Sequence, residues 1–531
     1  MAQSSLPLRE GVPQWIGVCT ILLIMVITAT MNGISLSSAP EFAGALSVVS
    51  DDITMSYYST SVGLCIIYPI VRFFNLRNTP KTLLLVGLIA EVILALVSAK
   101  TDNVTVLTIA CFFTGIAKGI LLLTCLGMIR PFITPSNRNS TFISWLIPFS
   151  MGVGQLSTFT TEWFTLYFEW QYIYYVIIVL SLLAILSVLI FFKYANLLFH
   201  FPYGKIDYTG VFLITLTLLG FVYICAYGKN LDWFNSPKIV TAAIFTLSVF
   251  IIFLIQNNYS SKPYIRLWQL VRWEGLLGYG FMVLVMFFNA SSSVINSYMG
   301  SVLKIDNLHS AQLNLWVIPG YIVGGIVCYL WHRYLSNIRG LVVSGTFCYL
   351  LYFAIAYLNV ASDARYQSLE LAVFFKGVGM IILIANFIIY LTQDLKYEEK
   401  PSHLFYNIGI RGVLAPVLWA AVVSTTLYRG TQGAIVRLAD TIRLDNITSY
   451  DQFLKSYRSA IAGGHGDYES MQMAVSSLYN TLNSQATLLT VKQLLGTFLL
   501  VAVITTAISI VLPYKNLFKR DLVKRPSIDP T

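Results

Sequence analysis

The chain has 531 residues, of which 56% are hydrophobic and only 11% are charged, and its mean hydropathy is +0.71. A soluble domain carries about 25% charged residues, because a surface that faces water needs them. These proportions exclude most soluble enzymes and predict an all-α polytopic membrane protein. The formal net charge of +10 follows the loops, so it indicates membrane orientation and not a nucleic-acid partner.

Fourteen apolar segments are long enough to be membrane spans. They lie near 14–34, 56–76, 82–99, 104–128, 139–163, 169–193, 209–228, 237–256, 277–298, 311–331, 339–359, 368–393, 403–427 and 492–513. The first run lacks a clear cleavage site and is predicted to be a retained span. A polar segment at about 429–491 has helical apolar spacing and predicts an extracytoplasmic helical loop.

The basic residues of the short loops concentrate on the side that holds both termini. Because short cytoplasmic loops carry an excess of lysine and arginine, both termini are predicted to be cytoplasmic. The expected location is the plasma membrane, which is the inner membrane in a Gram-negative host. Two of these basic residues, Arg72 and Arg77, follow the second span and are candidates for a cytoplasmic gate loop.

Four charged residues fall in the middle of predicted spans: Glu91, Lys118, Lys376 and Arg411. A charge inside a membrane costs about 2.5–3.5 kcal/mol on insertion scales, so each one suggests a function. Glu91 and Lys118 lie at similar depth on successive spans. They form either a structural ion pair or a coupling pair in which Glu91 accepts a proton and releases Lys118. Glu162, at the end of a span, is expected to be solvated.

Lys376 and Arg411 have no obvious buried acid in their own part of the chain. One hypothesis places both side chains in a central cavity, where their charge favours an anionic or zwitterionic substrate. The alternative is that both bind backbone carbonyls freed at glycine and proline helix breaks. The candidates for such breaks are Gly152, Gly154, Pro319, Gly320, Gly412 and Pro416. Aromatic residues near the breaks are candidates for cavity walls: Tyr298, Trp316, Tyr321 and Trp419.

An internal repeat is indicated by the pairs Lys118-Gly119 and Lys376-Gly377, each a few residues after Phe-Phe and each in the middle of a span. The two spans are each the fourth of six if two spans are inserted between the halves. The expected organisation is a six-helix bundle at 1–200, two inserted helices at 201–275, and a second six-helix bundle at 276–531. A substrate site at mid-membrane between the halves is typical of this arrangement.

Five stretches resemble signatures of one transporter family in order and spacing. They are Trp170–Tyr175, Asp207–Gly210, Asp232–Pro237, Val317–Pro319 and Asn407–Arg411. The chain is similar to the major facilitator superfamily, and within it to the fourteen-span drug/proton antiporter branch. It departs from that pattern where Asn32 stands near the usual acid of the first span, and where the gate loop lacks the family's Asp. Lys118 lies three residues after the family's Arg position.

The resemblance implies a major-facilitator fold and proton-coupled efflux of amphipathic small molecules by alternating access. A transporter of a specific organic anion or metabolite is the first alternative, and a transport-inactive receptor or scaffold is the second. The chain has no Gly-Lys-Ser/Thr phosphate loop, no catalytic constellation and no metal-ligand spacing, so we expect no enzyme activity, ATP or cofactor. The expected partners are a small-molecule substrate, protons and the lipid bilayer, with a periplasmic adaptor protein as a further possibility from the resemblance.

Overall fold

The computed structural model describes residues 6–77, 79–134, 138–194, 207–260, 263–335, 337–392, 395, 399–440 and 447–514. The described chain is almost entirely helical. Its extended pairing is a single bridge, in which Leu8 lies beside Phe192. The Lys193 amide donates to the Pro7 carbonyl at 2.9 Å beside that bridge, so the N-terminal segment is fastened to the end of the seventh helix.

Nineteen helices follow one another in the described residues, and four of them have 10 residues or fewer. They are α1 Gln14–Thr30, α2 Ala39–Leu46, α3 Ser50–Arg77, α4 Pro80–Lys100, α5 Val104–Ile133, α6 Asn139–Tyr167, α7 Gln171–Phe191, α8 Tyr208–Tyr227, α9 Pro237–Tyr259, α10 Trp268–Val271, α11 Trp273–Ser301, α12 Asn307–Leu315, α13 Val317–Tyr334, α14 Ile338–Asn359, α15 Glu370–Thr392, α16 Lys400–Gly409, α17 Ala415–Ala439, α18 Ile447–Ala462 and α19 Asp467–Val511.

Every predicted span falls on one of these helices or on a consecutive pair of them. Within the described residues, eleven helical segments are long and apolar enough to cross a membrane. The chain is therefore an integral membrane protein. The predicted spans on α1, α3 and α6 are helical but are not among the eleven, and α1 has only 17 residues. The number of fourteen spans and the side of the termini stay predictions.

Local sequence signals fix where several helices begin. The side chains of Thr79, Asn103 and Asp207 each accept a hydrogen bond from a backbone amide in the first turn of α4, α5 and α8. Such caps satisfy donors that have no partner within the helix, which matters most at a membrane boundary. Proline at the first position of α9, Pro237, starts that helix because its fixed φ suits a first turn.

A close contact between two helices occurs twice in the chain. In the first, α3 and α5 meet so closely that a methyl group added at Gly115 would lie 2.0 Å from the Thr60 carbonyl oxygen. One added at Gly63 would lie 2.1 Å from the Phe112 carbonyl oxygen. Only glycine permits this approach, because it has no Cβ. The α3–α5 pair has the most extensive packing of any two helices in the described chain.

The second occurrence is between α13 and α15, and it has the same spacing. A methyl group at Gly320 would lie 2.4 Å from the Phe374 carbonyl oxygen, and one at Gly377 would lie 2.5 Å from the Val317 carbonyl oxygen. In both pairs, each helix contributes one glycine and one carbonyl group to the contact. The glycine lies three residues after the residue that carries the carbonyl group. When the two contacts are aligned, Gly377 of α15 therefore takes the position equivalent to Gly115 of α5.

This match places the two Lys-Gly pairs out of register. Lys118 follows Gly115 by three residues, whereas Lys376 precedes Gly377 by one. The lysines thus differ by four residues, which is about one helical turn, or about 6 Å along the axis. They share a helix face but not a depth. When the chain is aligned on the glycine contacts, the two Lys-Gly pairs are therefore not equivalent positions, and the internal repeat stays a prediction.

The helices α8 and α9 bridge earlier and later parts of the bundle. After α8, the Asn230 side chain donates to Asp51 at the start of α3 at 2.5 Å, and Trp233 Nε1 donates to Thr425 of α17 at 3.2 Å. After α9, the Tyr264 hydroxyl donates to the Ile66 carbonyl of α3 at 2.5 Å. The pair is therefore anchored to α3 at both of its ends.

The segment predicted as a helical loop at about 429–491 is helical, but it is built differently. The helix α17 continues past the predicted span end to Ala439, and α19 is one helix of 45 residues that contains the last predicted span. The helix α18 packs against the first part of α19, where Gln452 donates to Thr481 at 2.9 Å. The second arm of the expected loop is therefore continuous with the last predicted span.

The predicted helix breaks have three different outcomes. The helix α6 runs without interruption through Gly152 and Gly154, so the prediction of a break there is wrong. A π-helical segment, Ile410–Leu414, separates α16 from α17, and it contains Gly412 two residues before Pro416. The turn between α12 and α13 lies at Trp316, just before Pro319 and Gly320.

Candidate functional site

Glu91 and Lys118 lie near each other inside the bundle, but they do not form the direct ion pair that was one of the two predictions. The Glu91 side chain is 1% exposed, and its Oε2 atom has no hydrogen-bond partner in the described part of the chain. The Lys118 ammonium instead donates to Asn32 Oδ1 at 3.2 Å, and it interacts with Glu91 through space. Glu91 is thus a buried carboxyl group with one oxygen to which no described residue donates.

Lys376 is buried among the later helices. Its ammonium donates to the Ser292 hydroxyl of α11 and lies 5.8 Å from the centre of the Tyr352 ring of α14. Each lysine therefore lies on the fourth span of its predicted six-span bundle. Lys118 donates to the turn that follows α1 in the first span of the earlier bundle, and Lys376 donates to the first span of the later bundle. Buried amines with hydrogen-bond partners of this kind are already engaged within the protein.

Arg411 lies in the π-helical segment, which packs against α3. Its Nη1 atom has no hydrogen-bond partner among the residues that the structure describes. Nearby, the Cys65 thiol donates to the Phe405 carbonyl at 3.5 Å. A π-helical turn is frequent at functional sites, because it shifts a side chain out of the regular helical spacing. Arg411 therefore lies at the contact between α3 and α16–α17.

A cavity of about 230 Å³ lies between α6 and the pair α11–α12. It is at the bundle end that holds α2 and α12, which the charge pattern predicts to be outside, and which we term the outer end. Eight of its twelve lining residues have amide or hydroxyl side chains. The amides are Gln155, Asn296, Asn307 and Asn314, and the hydroxyl groups are Ser37, Thr158, Ser293 and Ser310. The remaining lining residues are Leu36, Pro40, Phe159 and Ala311.

The same helices are packed tightly toward the opposite end. A methyl group added at Gly325 of α13 would lie 2.6 Å from the ring of Pro148 in α6. A methyl group at Gly409 of α16 would lie 3.1 Å from the Cys65 sulfur of α3. Two separate pairs of early and late helices are thus in close contact there. The cavity reaches the surface at the outer end, where its lining residues Leu36, Pro40 and Asn307 are exposed, whereas the close helix contacts lie toward the predicted cytoplasmic end.

Two acidic residues lie next to residues of the cavity lining. Glu162, expected to be solvated, is only 2% exposed, and it accepts a hydrogen bond from Ser35 at 2.8 Å, whose hydroxyl lies 3.2 Å from that of Ser37. Glu41 of α2 accepts from the Asn307 side chain of α12 at 2.5 Å. The sequence analysis missed Glu162 because its place at a span end is typical of a solvated acid. The run of serines at 35–38 was the available signal.

The four aromatic candidates are not among the residues that line this cavity. The Tyr298 hydroxyl donates to the Ala361 carbonyl at 2.6 Å, and Trp419 Nε1 donates to the Val283 carbonyl at 3.1 Å, so both are engaged among the later helices. Trp316 is 46% exposed. Tyr321 is buried, and its hydroxyl donates to the Met380 sulfur of α15 at 3.5 Å.

The gate-loop candidates Arg72 and Arg77 lie at the end of α3. Their side chains lie outside the described residues.

Comparisons with known proteins give structural similarity only. No family model and no curated protein matches the chain. The human organic anion transporter MFSD10 (TETRAN) is similar at 10% identity and a TM-score of 0.49, over 78% of this chain and 94% of that one. A mutant of the nucleoside transporter NupG is similar at 10% identity and a TM-score of 0.49, over 89% and 99%. An auto-inhibited POT family peptide transporter is similar at 12% identity and a TM-score of 0.48, over 90% and 96%. Similarities with such low identities and TM-scores assign neither a family nor a substrate to this chain.

Proposed function

We propose that this integral membrane protein is a secondary transporter that moves a small solute by alternating access. The observation that carries the proposal is the polar cavity between α6 and α11–α12, which reaches the surface at one end and meets glycine-packed helices at the other. A polar cavity open to one side only is the arrangement that a transporter needs in one of its two states. A receptor needs no such blocked path.

Proton coupling is part of this proposal, and Glu91 is its site. A carboxyl group held in an apolar helix bundle with one oxygen unpartnered costs free energy whenever it is ionised. The nearby ammonium of Lys118, held by Asn32, offsets that cost in part. Any movement of α1 that shifts Asn32 changes the balance, which links proton binding to conformation.

The experiment is proton flux in proteoliposomes under an imposed pH gradient. The solutes are neutral, cationic and anionic and include amphipathic drugs, so drug efflux, anion transport and uptake of polar metabolites are all tested. Wild type is compared with Glu91→Gln and Lys118→Gln. We expect one solute class to evoke proton flux in the wild type, and we expect Glu91→Gln to abolish that flux while the protein stays folded.

The matched control is Glu169→Gln, which removes an exposed acid at the outer end. This variant should keep the wild-type flux. Unchanged flux in Glu91→Gln would refute the coupling role of that residue. Absence of both solute flux and proton flux with every solute, in wild-type protein of normal thermal stability, would refute the transport proposal.

A further inference from the structure

The cavity at the outer end has a composition that selects for one class of ligand. Eight of its lining side chains are amides or hydroxyl groups, and none of the twelve is charged. A charged ligand that enters it would lose hydration without meeting an opposite charge, which is costly. The two buried lysines are engaged elsewhere, because Lys118 donates to Asn32 and Lys376 donates to Ser292.

Two acidic residues next to the cavity, Glu41 and Glu162, influence which hydrogen-bonding atoms the lining residues present to a ligand. Glu41 accepts one of the two N–H bonds of the Asn307 amide, so that side chain keeps its carbonyl oxygen and one N–H for the cavity. Ser35 donates its hydroxyl proton to Glu162, so in the Ser35–Ser37 pair the Ser37 hydroxyl donates to Ser35 and is left as an acceptor. Each acid therefore takes up one donor at the cavity, directly or through Ser35, and shifts the lining toward acceptors. A ligand that fits supplies donors to the acceptors that remain.

Size gives a second restriction. A volume of about 230 Å³ holds about seven waters at about 30 Å³ each, and it is below the range of pockets that hold drug-sized ligands. Phe159 and Leu36 add an apolar surface against which the carbon face of a small ring can pack. A solute of monosaccharide size matches both the volume and the mixed lining.

Resting on the proposed transport function, we infer that the cavity between α6 and α11–α12 is a binding site for a small uncharged solute rich in hydroxyl or amide N–H donors. Gln155, Asn296 and Asn314 are the residues that contact it, and Glu41 and Glu162 are positioning residues that orient the wall. The site discriminates against organic anions, amphipathic cations and acceptor-only solutes.

The test is equilibrium binding to the full-length protein in nanodiscs, which needs no turnover. Four probes share one skeleton: glucose, its O-methylated form, gluconate and glucosamine. We expect glucose to bind saturably and to bind at least tenfold more tightly than the other three. Asn296→Ala and Gln155→Ala should each weaken glucose binding by about three- to tenfold, since each removes a hydrogen-bonding partner.

Two further variants separate a positioning role from loss of folding. Asn359→Ala removes an asparagine that bonds only within its own helix, to the Ile355 carbonyl, and should leave binding unchanged. Glu162→Gln can donate to Ser35, which leaves the Ser37 hydroxyl able to donate into the cavity, so this variant should narrow the preference for glucose over the O-methylated form. Thermal stability is checked separately. If Glu162 had a purely structural role, its substitution would change the thermal stability but not the ratio of the affinities for glucose and for its O-methylated form.

The outcomes are distinct from those of the transport assay. Preferential binding of gluconate or glucosamine, glucose binding that the lining variants do not alter, or no binding of any probe would overturn the inferred ligand class. Proton-coupled flux of another solute in proteoliposomes would then leave the transport function standing. Specific glucose binding without flux of any solute would keep the site and refute transport.

Discussion

Lys118 depends on a single side chain, Asn32, for its hydrogen bond. In Asn32→Leu, the buried ammonium loses that bond, and we expect the free energy of unfolding to fall by about 1–3 kcal/mol. The double variant Asn32→Leu, Lys118→Met removes the unpaired charge as well and should recover most of the loss. Thermal unfolding in detergent measures both. If the double variant is no more stable than the single one, the hydrogen bond does not hold Lys118 in place.

Asp51 gives a pH prediction outside the predicted spans. Burial raises the pKa of Asp51 above its ordinary value, while hydrogen bonding from Asn230 and the charge of Lys229 act in the opposite direction. A raised pKa stabilises the folded protein below the unfolded value of about 4, and the contribution is lost as the pH rises through the folded value. The free energy of unfolding of the wild type should therefore fall as the pH rises from the unfolded to the folded pKa of Asp51, and that of Asp51→Asn should not.

The measurement for Asp51 is the unfolding midpoint in detergent from about pH 4 to pH 8, the interval above the unfolded pKa of a carboxyl group. Asp363→Asn, at an exposed position in the loop between α14 and α15, serves as the control and should follow the wild-type curve. Parallel curves for all three proteins would show that Asp51 does not contribute to the pH dependence.

At the scale of helices, the glycine contacts make a matched comparison possible within α5. A methyl group at Gly115 would overlap the Thr60 carbonyl, whereas one at Gly127 would meet no atom within 4 Å. Gly115→Ala must therefore separate α3 from α5, and we expect it to destabilise the protein by about 1–3 kcal/mol or to prevent folding. Gly127→Ala should be neutral or slightly stabilising, because alanine favours a helix.

Gly377→Ala extends the comparison to α13 and α15 and should behave like Gly115→Ala. Expression level and thermal unfolding midpoint report the effect. Equal stability of the Gly115 and Gly127 variants would mean that the close approach of α3 and α5 is not required for folding.

The sequence was sufficient for the helices and insufficient for their contacts. Each of the fourteen segments predicted from apolar length falls on a helix or a consecutive pair of helices, because a backbone in lipid must bond within itself. It could not reveal that Lys118 bonds to Asn32 and not to Glu91, since the partner comes from a distant turn. Nor could it show that α6 continues through Gly152, because glycine permits a break without requiring one. Glu162 was misplaced because burial at a helix end depends on the serines that surround it.

At the scale of the whole molecule, alternating access predicts that two sets of contacts open in turn. At the outer end, Asn307 and Glu41 join late and early helices beside the cavity mouth, and at the opposite end Gly325 lies against Pro148 and Ser144. In a cysteine-free background, a flexible thiol-specific cross-linker at Ser144→Cys and Gly325→Cys should stop transport. A cross-link at Glu41→Cys and Asn307→Cys should stop it from the other end. A cleavable linker should restore flux on reduction, and full transport through both cross-links would contradict a moving-halves mechanism.

The 45 unbroken residues of α19 give the molecule a rigid arm. Its part before the predicted last span, residues 467–491, is about 37 Å long at 1.5 Å per residue. A tilt of about 10° in the membrane would swing the tip by about 6 Å on this geometry, and α18 would travel with it because the two are packed together. A fluorophore at the exposed Tyr468 would then report each turnover as a change in brightness or distance, read from outside the bilayer. The tip of α19 would then be displaced farther than the residues at the cavity, so a label there would detect motions that are too small to follow at the cavity.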